Sequence, residues 1–508
     1  MSILSSRTLP ELAARVPTPS YDRGLVRTGI VHFGVGGFHR AHQAMYVDAL
    51  MNAGEALDWG ICGVGVLASD RRMQQALDAQ DGLFTLVVKH ADGTYEPRII
   101  GSIVEYLFAR DDPEAVLAKL ADPATRIVSL TVTEGGYNID SVDGAFLRHD
   151  PDILRDLEPG AVPATVFGLV TEALVRRRAD GVPPFTVMSC DNIQGNGDVA
   201  RRSFSAYATM RDAALGEWVR RAVHFPNCMV DRITPVTTDE DRAEVARRFG
   251  IDDRWPVMCE PFTQWVLEDS FSMGRPPLED AGVQLVHEVG PYELMKLRLL
   301  NASHQALCYL GYLSGYRLVH EVCQDPLFAS FLLAYMDREA TPTLAAVPGV
   351  DLEGYKHQLI ERFSNAEVRD TVARLCAEGS DRIPKWLLPV LRHNLTSGGP
   401  IECAVAVIAG WTRYNEGVDE CGEAIEVVDR LSAPLMAAAA RSRTAPLEFV
   451  AQRAVFGELV DDSRFVEAYR AALAALRQHG ARATIEQLMA RLQATSATAQ
   501  VVSPAPAP

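Results

Sequence analysis

The sequence predicts an α/β domain built on a mostly parallel sheet, followed by an all-α domain. Up to residue 289, β-branched and aromatic runs alternate with helical stretches, as strands joined by crossover helices do. From Pro291 onward nearly all apolar residues recur at helical spacing, and few runs read as strands. The size supports both: 508 residues, 48% hydrophobic and 23% charged, hold two or three domains with a large buried core. The chain therefore divides into 1–289, an α/β domain with a lead-in and insertions, and 290–494, a helical domain. Residues 495–508 are small, polar and proline-bearing, and are expected to form a disordered tail.

The elements follow in order. A lead-in to residue 24 carries a short helix over 9–14, then Pro17, Pro19 and Gly24. Residues 29–34 form the first strand, and 38–50 read as one helix. Residues 59–66 give a second buried strand. Residues 83–89 and 96–104 alternate like paired strands around a turn at Ala91, Asp92 and Gly93. Strands are expected at 127–133 and 185–190, with a helix over 166–178 between them. In the second half, loop signals fall at 341–343, 348–349, 397–400 and 432–434. The longest apolar helix, 327–336, is far short of the roughly 18 residues that cross a membrane. No repeat of 20 to 50 residues is found.

Net charge is −17, which argues against a nucleic-acid partner held by a broad basic surface. The nine cysteines are scattered with no C-x-x-C pair, as expected of reduced, buried thiols in a cytoplasmic protein. Neither cysteines nor histidines show ligand spacing, so no metal is expected. The first seven residues lack the features of a signal peptide.

Gly34-Val35-Gly36-Gly37-Phe38-His39 follows the first strand and opens a helix. In that context a G-x-G turn binds a dinucleotide: one glycine permits the tight turn, and the next lets pyrophosphate approach the backbone and the helix N-terminus. The candidate cofactor contacts are Gly34, Gly36, Gly37 and Phe38. The usual third glycine is replaced by His39. After the second strand comes Ala68-Ser69-Asp70-Arg71-Arg72. Asp70 stands where such folds contact the adenosine ribose, which favours NAD; Arg71 and Arg72 leave NADP open. Asp70 also reads as a plain helix cap. Glu134 follows the strand at 127–133, at the edge where open α/β sheets bind ligands. Asp191 and Asn192 follow the strand at 185–190. Asp191 reads as a cap for the next segment, and Asn192 as a turn former or, with a cofactor at this edge, as a functional amide.

Lys296-Leu297-Arg298-Leu299-Leu300-Asn301-Ala302-Ser303-His304 places a lysine, an amide and an imidazole in an apolar helical pattern. At about 100° per residue, His304 and Asn301 lie roughly 80° and 140° around the axis from Lys296. All three can face one cleft and suit removal of an alcohol proton. The segment also reads as an ordinary amphipathic helix.

Together and in order, residues 33–42, Thr133 to Tyr137, Ser189 to Asn192 and the Lys296 segment resemble the polyol-specific long-chain dehydrogenase/reductase family. The resemblance spans roughly residues 8–492. The family includes mannitol 2-dehydrogenases, arabinitol dehydrogenases and hexuronate reductases, and residues 192–197 and 225–235 look like the first group. The resemblance implies a Rossmann-type NAD-binding domain, a C-terminal helical domain and metal-independent chemistry between them. It implies Lys296 as general acid/base, with Asn192 and Asn301 as donors to the reacting oxygen. It further implies His304, Arg374 and Arg382 as substrate contacts, with Lys385 competing for the last place, and Glu293 on the proton path. A polyol or ketose is the implied partner, and a monomer or weak oligomer the implied state. A fructuronate or tagaturonate reductase and a non-catalytic nucleotide sensor are the alternatives.

Overall fold

The computed structural model describes residues 2–140 and 144–501, with side chains through residue 494. It divides into two compact units between Gly290 and Pro291. The first is built on five strands: β1 (Thr28–Phe33), β2 (Gly60–Gly65), β3 (Ile103–Phe108), β4 (Ile127–Leu130) and β5 (Thr186–Ser189). Their order is β3-β2-β1-β4-β5, and every neighbouring pair is parallel. The order reverses between β1 and β4, so the crevice beyond their C-terminal ends is where this architecture binds ligands.

The two-residue period of the strands divides the core. Val31, Phe33, Val64, Val128 and Val187 face one layer, with the helices Pro113–Ala121, Val166–Ala179 and Asn196–Arg211. Ile30, Ile61, Ile103, Ile127 and Met188 face the other, with Gln43–Asn52 and Arg71–Asp78. Both faces are covered, which explains why these strands read as continuous apolar runs.

Two expectations change here. The helix over 38–50 is broken at His42 (φ −127°, ψ −97°) into Gly37–Ala41 and Gln43–Asn52. His42 is buried, its Nε2 lies 3.1 Å from the Gln264 carbonyl and its ring stacks on Phe38, contacts that hold it out of helical geometry. The strand over 96–104 stops at Ile100. Tyr95–Ile100 pairs antiparallel with Phe84–Lys89 in a separate sheet, whereas Ile103–Phe108 joins the main one. The buried break is fixed by Gly101 N–H on the Asp48 carboxylate (2.9 Å) and by the Ser102 hydroxyl on the Ala44 carbonyl (2.7 Å).

In the second unit, every named element among the described residues is helical. Residues 432–434 do not form a loop; they begin the helix Ser432–Arg441, whose first turn accommodates Pro434 because no helical bond needs its missing N–H. The last helix, Ser463–Val501, continues past Thr495, bending at Gly480; residues 502–508 of the expected tail lie outside the described residues. All nine cysteines are free and only Cys421 is exposed. No described helix is long and apolar enough to cross a membrane.

One buried acid organises this unit. The helix Glu402–Tyr414 begins after Ile401, whose side chain cannot cap it. Glu339, 1% exposed, instead accepts the N–H groups of Cys403 (2.6 Å) and Ala404 (2.9 Å). Burial pushes its carboxyl up to about 7. A raised carboxyl favours folding below its unfolded pKa, and this contribution is lost as pH rises to the folded pKa. Between about pH 4.5 and 7, wild type should therefore lose about 3 kcal/mol relative to Glu339→Gln. Urea unfolding of both proteins at pH 5 and 7.5 checks this; a pH-independent difference contradicts it.

Candidate active site

The glycine turn lies at the C-terminal end of β1. Gly34 has φ +89°, and a Cβ there would stand 2.0 Å from the Thr131 carbonyl oxygen. A Cβ on Gly36 would meet nothing nearer than the Gly34 oxygen at 3.8 Å. Gly36 caps the following helix without a side-chain bond, so its surroundings fit a pyrophosphate approaching the backbone. His39, in place of the third glycine, stacks on His32 of β1, with ring centroids 3.4 Å apart and planes at 13°. Both rings are buried and held neutral, His32 down to about 3. His32 links Ser129 (2.8 Å) to Thr131 (3.0 Å), and Thr131 donates to the Gly34 carbonyl (2.7 Å). A buried polar chain thus braces the turn from behind.

Asp70 follows β2 and accepts the N–H groups of Val66 and Leu67 on one oxygen, each at 2.9 Å. It shapes the loop in which a ribose contact would lie. Arg71 pairs with Asp111 and lies over Phe108, and Arg72 lies 5.0 Å from the Trp255 ring centroid. A 2′-phosphate would compete with Asp111 for Arg71. We expect Asp70→Ala to narrow any preference for NAD over NADP by about tenfold, read from the two kcat/KM values. An unchanged ratio removes Asp70 from the cofactor contacts.

Beyond β4 and β5, the structure gives Asp191 a different task from capping the next segment. Its carboxylate reaches back to accept the N–H of Thr133 (2.8 Å), the N–H of Val132 (3.1 Å) and the hydroxyl of Tyr137 (2.7 Å). Thr133 has φ 63° and ψ 171°, a conformation that costs a β-branched residue about 1–3 kcal/mol. Burial raises the Asp191 carboxyl to about 6, and nearby Glu134 contributes in the same direction. Glu134 follows the strained residue, and Asn192, exposed, follows Asp191.

In the second unit, Lys296–Asn301 is one π-helical turn inside a longer helix, and the Ala302 N–H bonds the Leu297 carbonyl five residues back. The 100° increment therefore fails between Lys296 and Asn301: five-residue bonding brings the two towards one face. Such turns recur at functional sites. Glu293 and Lys296 are each 8% exposed, Asn301 4% and His304 9%. His304 lies against Phe363 (centroids 4.4 Å apart), and its buried Nε2 has no hydrogen-bond partner among the described residues. Burial holds its pKa well below the usual value, and the charges of Arg374, Arg362, Arg382 and Lys296 add to that.

Arg374 is paired with Asp370, and Arg382 donates to the carbonyls of Arg374 (3.0 Å) and Leu375 (3.2 Å). Lys385 is bound to Asp381 at 2.8 Å. Arg362, at the end of Leu352–Phe363, was not expected from the sequence, because no motif links it to His304. Among the described residues no three His, Cys, Asp or Glu side chains gather as a metal site.

Residues 28–280 match the mannitol dehydrogenase Rossmann domain, and residues 288–477 match the mannitol dehydrogenase C-terminal domain. The chain belongs to the mannitol dehydrogenase family. It is 46% identical over 488 residues to a mannitol 2-dehydrogenase of Phaeosphaeria nodorum, covering 95% of this chain and 85% of that one. To the mannitol 2-dehydrogenase of Aspergillus fumigatus it is 44% identical over 493 residues, covering 95% and 98%. Among solved structures it resembles Pseudomonas fluorescens mannitol 2-dehydrogenase in ternary complex with NAD and D-mannitol. That likeness has a TM-score of 0.89 and 46% identity, over 96% of this chain and 99% of that one. A substrate-free D-sorbitol dehydrogenase gives 0.87 and 39%, over 95% and 100%. The family's Rossmann-type and C-terminal domains correspond to the parallel-sheet and helical units described above.

Proposed function

We propose that this chain oxidises D-mannitol at C2 to D-fructose, reversibly, and that it acts on related polyols such as D-arabinitol. It is an NAD-dependent polyol dehydrogenase. The observation that carries the substrate reading is the buried set of Lys296 and Asn301 on the π turn and His304 at the start of the helix that follows. It occurs in a chain 46% identical to an enzyme solved with NAD and D-mannitol. NAD, when bound, supplies the hydride acceptor.

In this reading Lys296 takes the C2 hydroxyl proton as the carbon is oxidised, and returns it in ketone reduction. To act as the base, Lys296 must react as its neutral amine. Asn301 and Asn192 donate to the oxygen as negative charge develops, and amides do so without titrating. Neutral His304 offers Nε2 to a substrate hydroxyl, with Arg374 and Arg382 as further substrate contacts. Glu293, one turn before Lys296, serves proton movement to the lysine. Gly34, Gly36, Gly37, Phe38, Asp70 and Glu134 form the cofactor half. We read the enzyme as cytoplasmic and as a monomer or weak oligomer, with no nucleic-acid partner.

The cations around His304 favour one second reading, a reductase of fructuronate or tagaturonate, whose carboxylate they would hold. Following nicotinamide absorbance with D-mannitol, D-arabinitol, D-sorbitol, D-fructose and fructuronate separates the two. The proposal expects the highest kcat/KM for D-mannitol and D-fructose. A preference for fructuronate replaces it with the second reading, and no turnover of any substrate points to a nucleotide sensor.

A further inference from the structure

Asp191 is buried at the ligand edge of the sheet, yet the proposed chemistry assigns it no step. Its partners show what it does. The carboxylate ties β5 to the turn after β4 through the N–H groups of Val132 and Thr133, and Tyr137 closes the same turn from its other end. The Tyr137 oxygen also meets the Ser189 hydroxyl, which can donate to it because the single phenol hydrogen goes to Asp191, and the Asp191 N–H reaches that same serine oxygen at 3.3 Å. On the other side, Asn196 Nδ2 donates to the Asp191 carbonyl (3.0 Å) and to the Cys228 carbonyl (2.8 Å). Both polar ends of Asp191 are therefore committed, and Asn192 is attached directly to its carbonyl. The strained Thr133 and the adjacent Glu134 are held by the other end.

We propose that Asp191 is a positioning residue: its carboxylate locks the Thr133–Glu134 turn and the Asn192 backbone into one arrangement. In this way it sets where the Asn192 amide and the Glu134 carboxylate stand. The claim rests on the reading of Asn192 as a donor to the reacting oxygen. The physical basis is a difference in demand. Thr133 leaves its strained conformation unless something holds its N–H, and a carboxylate can accept from two backbone N–H groups and a phenol at once. An asparagine at 191 has one acceptor oxygen and an NH₂ group, which must face a donor on one side.

The test combines hydrogen exchange with a double-mutant cycle. In Asp191→Asn, exchange across residues 131–138 should rise about tenfold or more while the rest of the first unit is unchanged. Its kcat for D-mannitol at saturating NAD should fall about 10²-fold, as when one donor to a developing oxyanion is lost, and the Kd for NADH should rise as Glu134, released with the turn, leaves its place in the cofactor half. Asp191→Asn combined with Asn192→Ala should fall no more than about threefold below Asn192→Ala alone, because both changes remove one donor. Tyr137→Phe, which deletes one of the three partners, should give the same pattern at smaller size and serves if Asp191→Asn does not fold. Multiplicative losses in the double variant, or unchanged exchange across 131–138 in the variant that folds, overturn the proposal. Wild-type turnover by Asn192→Ala with faster exchange in Asp191→Asn overturns the donor reading and the route through Asn192, and leaves Asp191 a clamp of the turn alone.

Discussion

Lys296→Ala should lower D-mannitol turnover by at least about 10³-fold, with NADH affinity within a few-fold of wild type. Proton transfer by a positioned side chain typically contributes about 10²–10⁴-fold, and no other described side chain on this turn is a comparable base. His304 is pushed strongly towards neutrality and lies against Phe363, and Asn301 does not titrate. Lys296 itself is only 8% exposed, so solvent is a poor substitute. The glycine turn and Asp70 belong to the other unit, so cofactor binding should survive. The checks are kcat from nicotinamide absorbance and Kd from NADH fluorescence. Turnover within tenfold of wild type, in a folded variant, removes Lys296 from the proton-transfer role.

Gly34→Ala should cost about 2 kcal/mol or more in stability and weaken NADH binding by about 100-fold or more. At φ +89° an alanine is strained whatever the space, and the space is absent. Its Cβ would meet the Thr131 carbonyl, backbone that follows β4 and whose N–H bonds the Phe33 carbonyl at 3.0 Å. Backbone on both sides cannot relax as a side chain would. Gly36→Ala is the informative partner. Its φ of −109° suits alanine and its Cβ would stand in open space, so thermal stability should be unchanged while NADH affinity falls. Loss of folding in Gly36→Ala, or intact NADH binding in both variants, contradicts the assigned turn.

What was legible in the sequence was local. A buried parallel strand ending in Gly34 announces both the turn and the layer it serves, because apolar continuity and glycine are properties of neighbouring residues. The change to helical periodicity near Val289 is legible for the same reason. What escaped depends on distant contacts. His42 breaks a regular helical pattern because of Gln264 and Phe38, and Ile103–Phe108 separates from its hairpin because Gly101 and Ser102 are held by Asp48 and Ala44. The π turn at Lys296 leaves no mark on apolar spacing. Asp191 reads as a cap because its true partners lie more than fifty residues earlier. Arg362 reaches the vicinity of His304 only through tertiary packing.

The central claim, C2 oxidation of a polyol with NAD by side-chain proton transfer and no metal, is tested most directly by one product analysis. Purified protein is incubated with D-mannitol and NAD in excess chelator, and NADH and sugar products are quantified together. The account predicts D-fructose formed one-for-one with NADH at a rate the chelator does not change. Mannose as product, or activity lost to the chelator and restored by a metal ion, would contradict it.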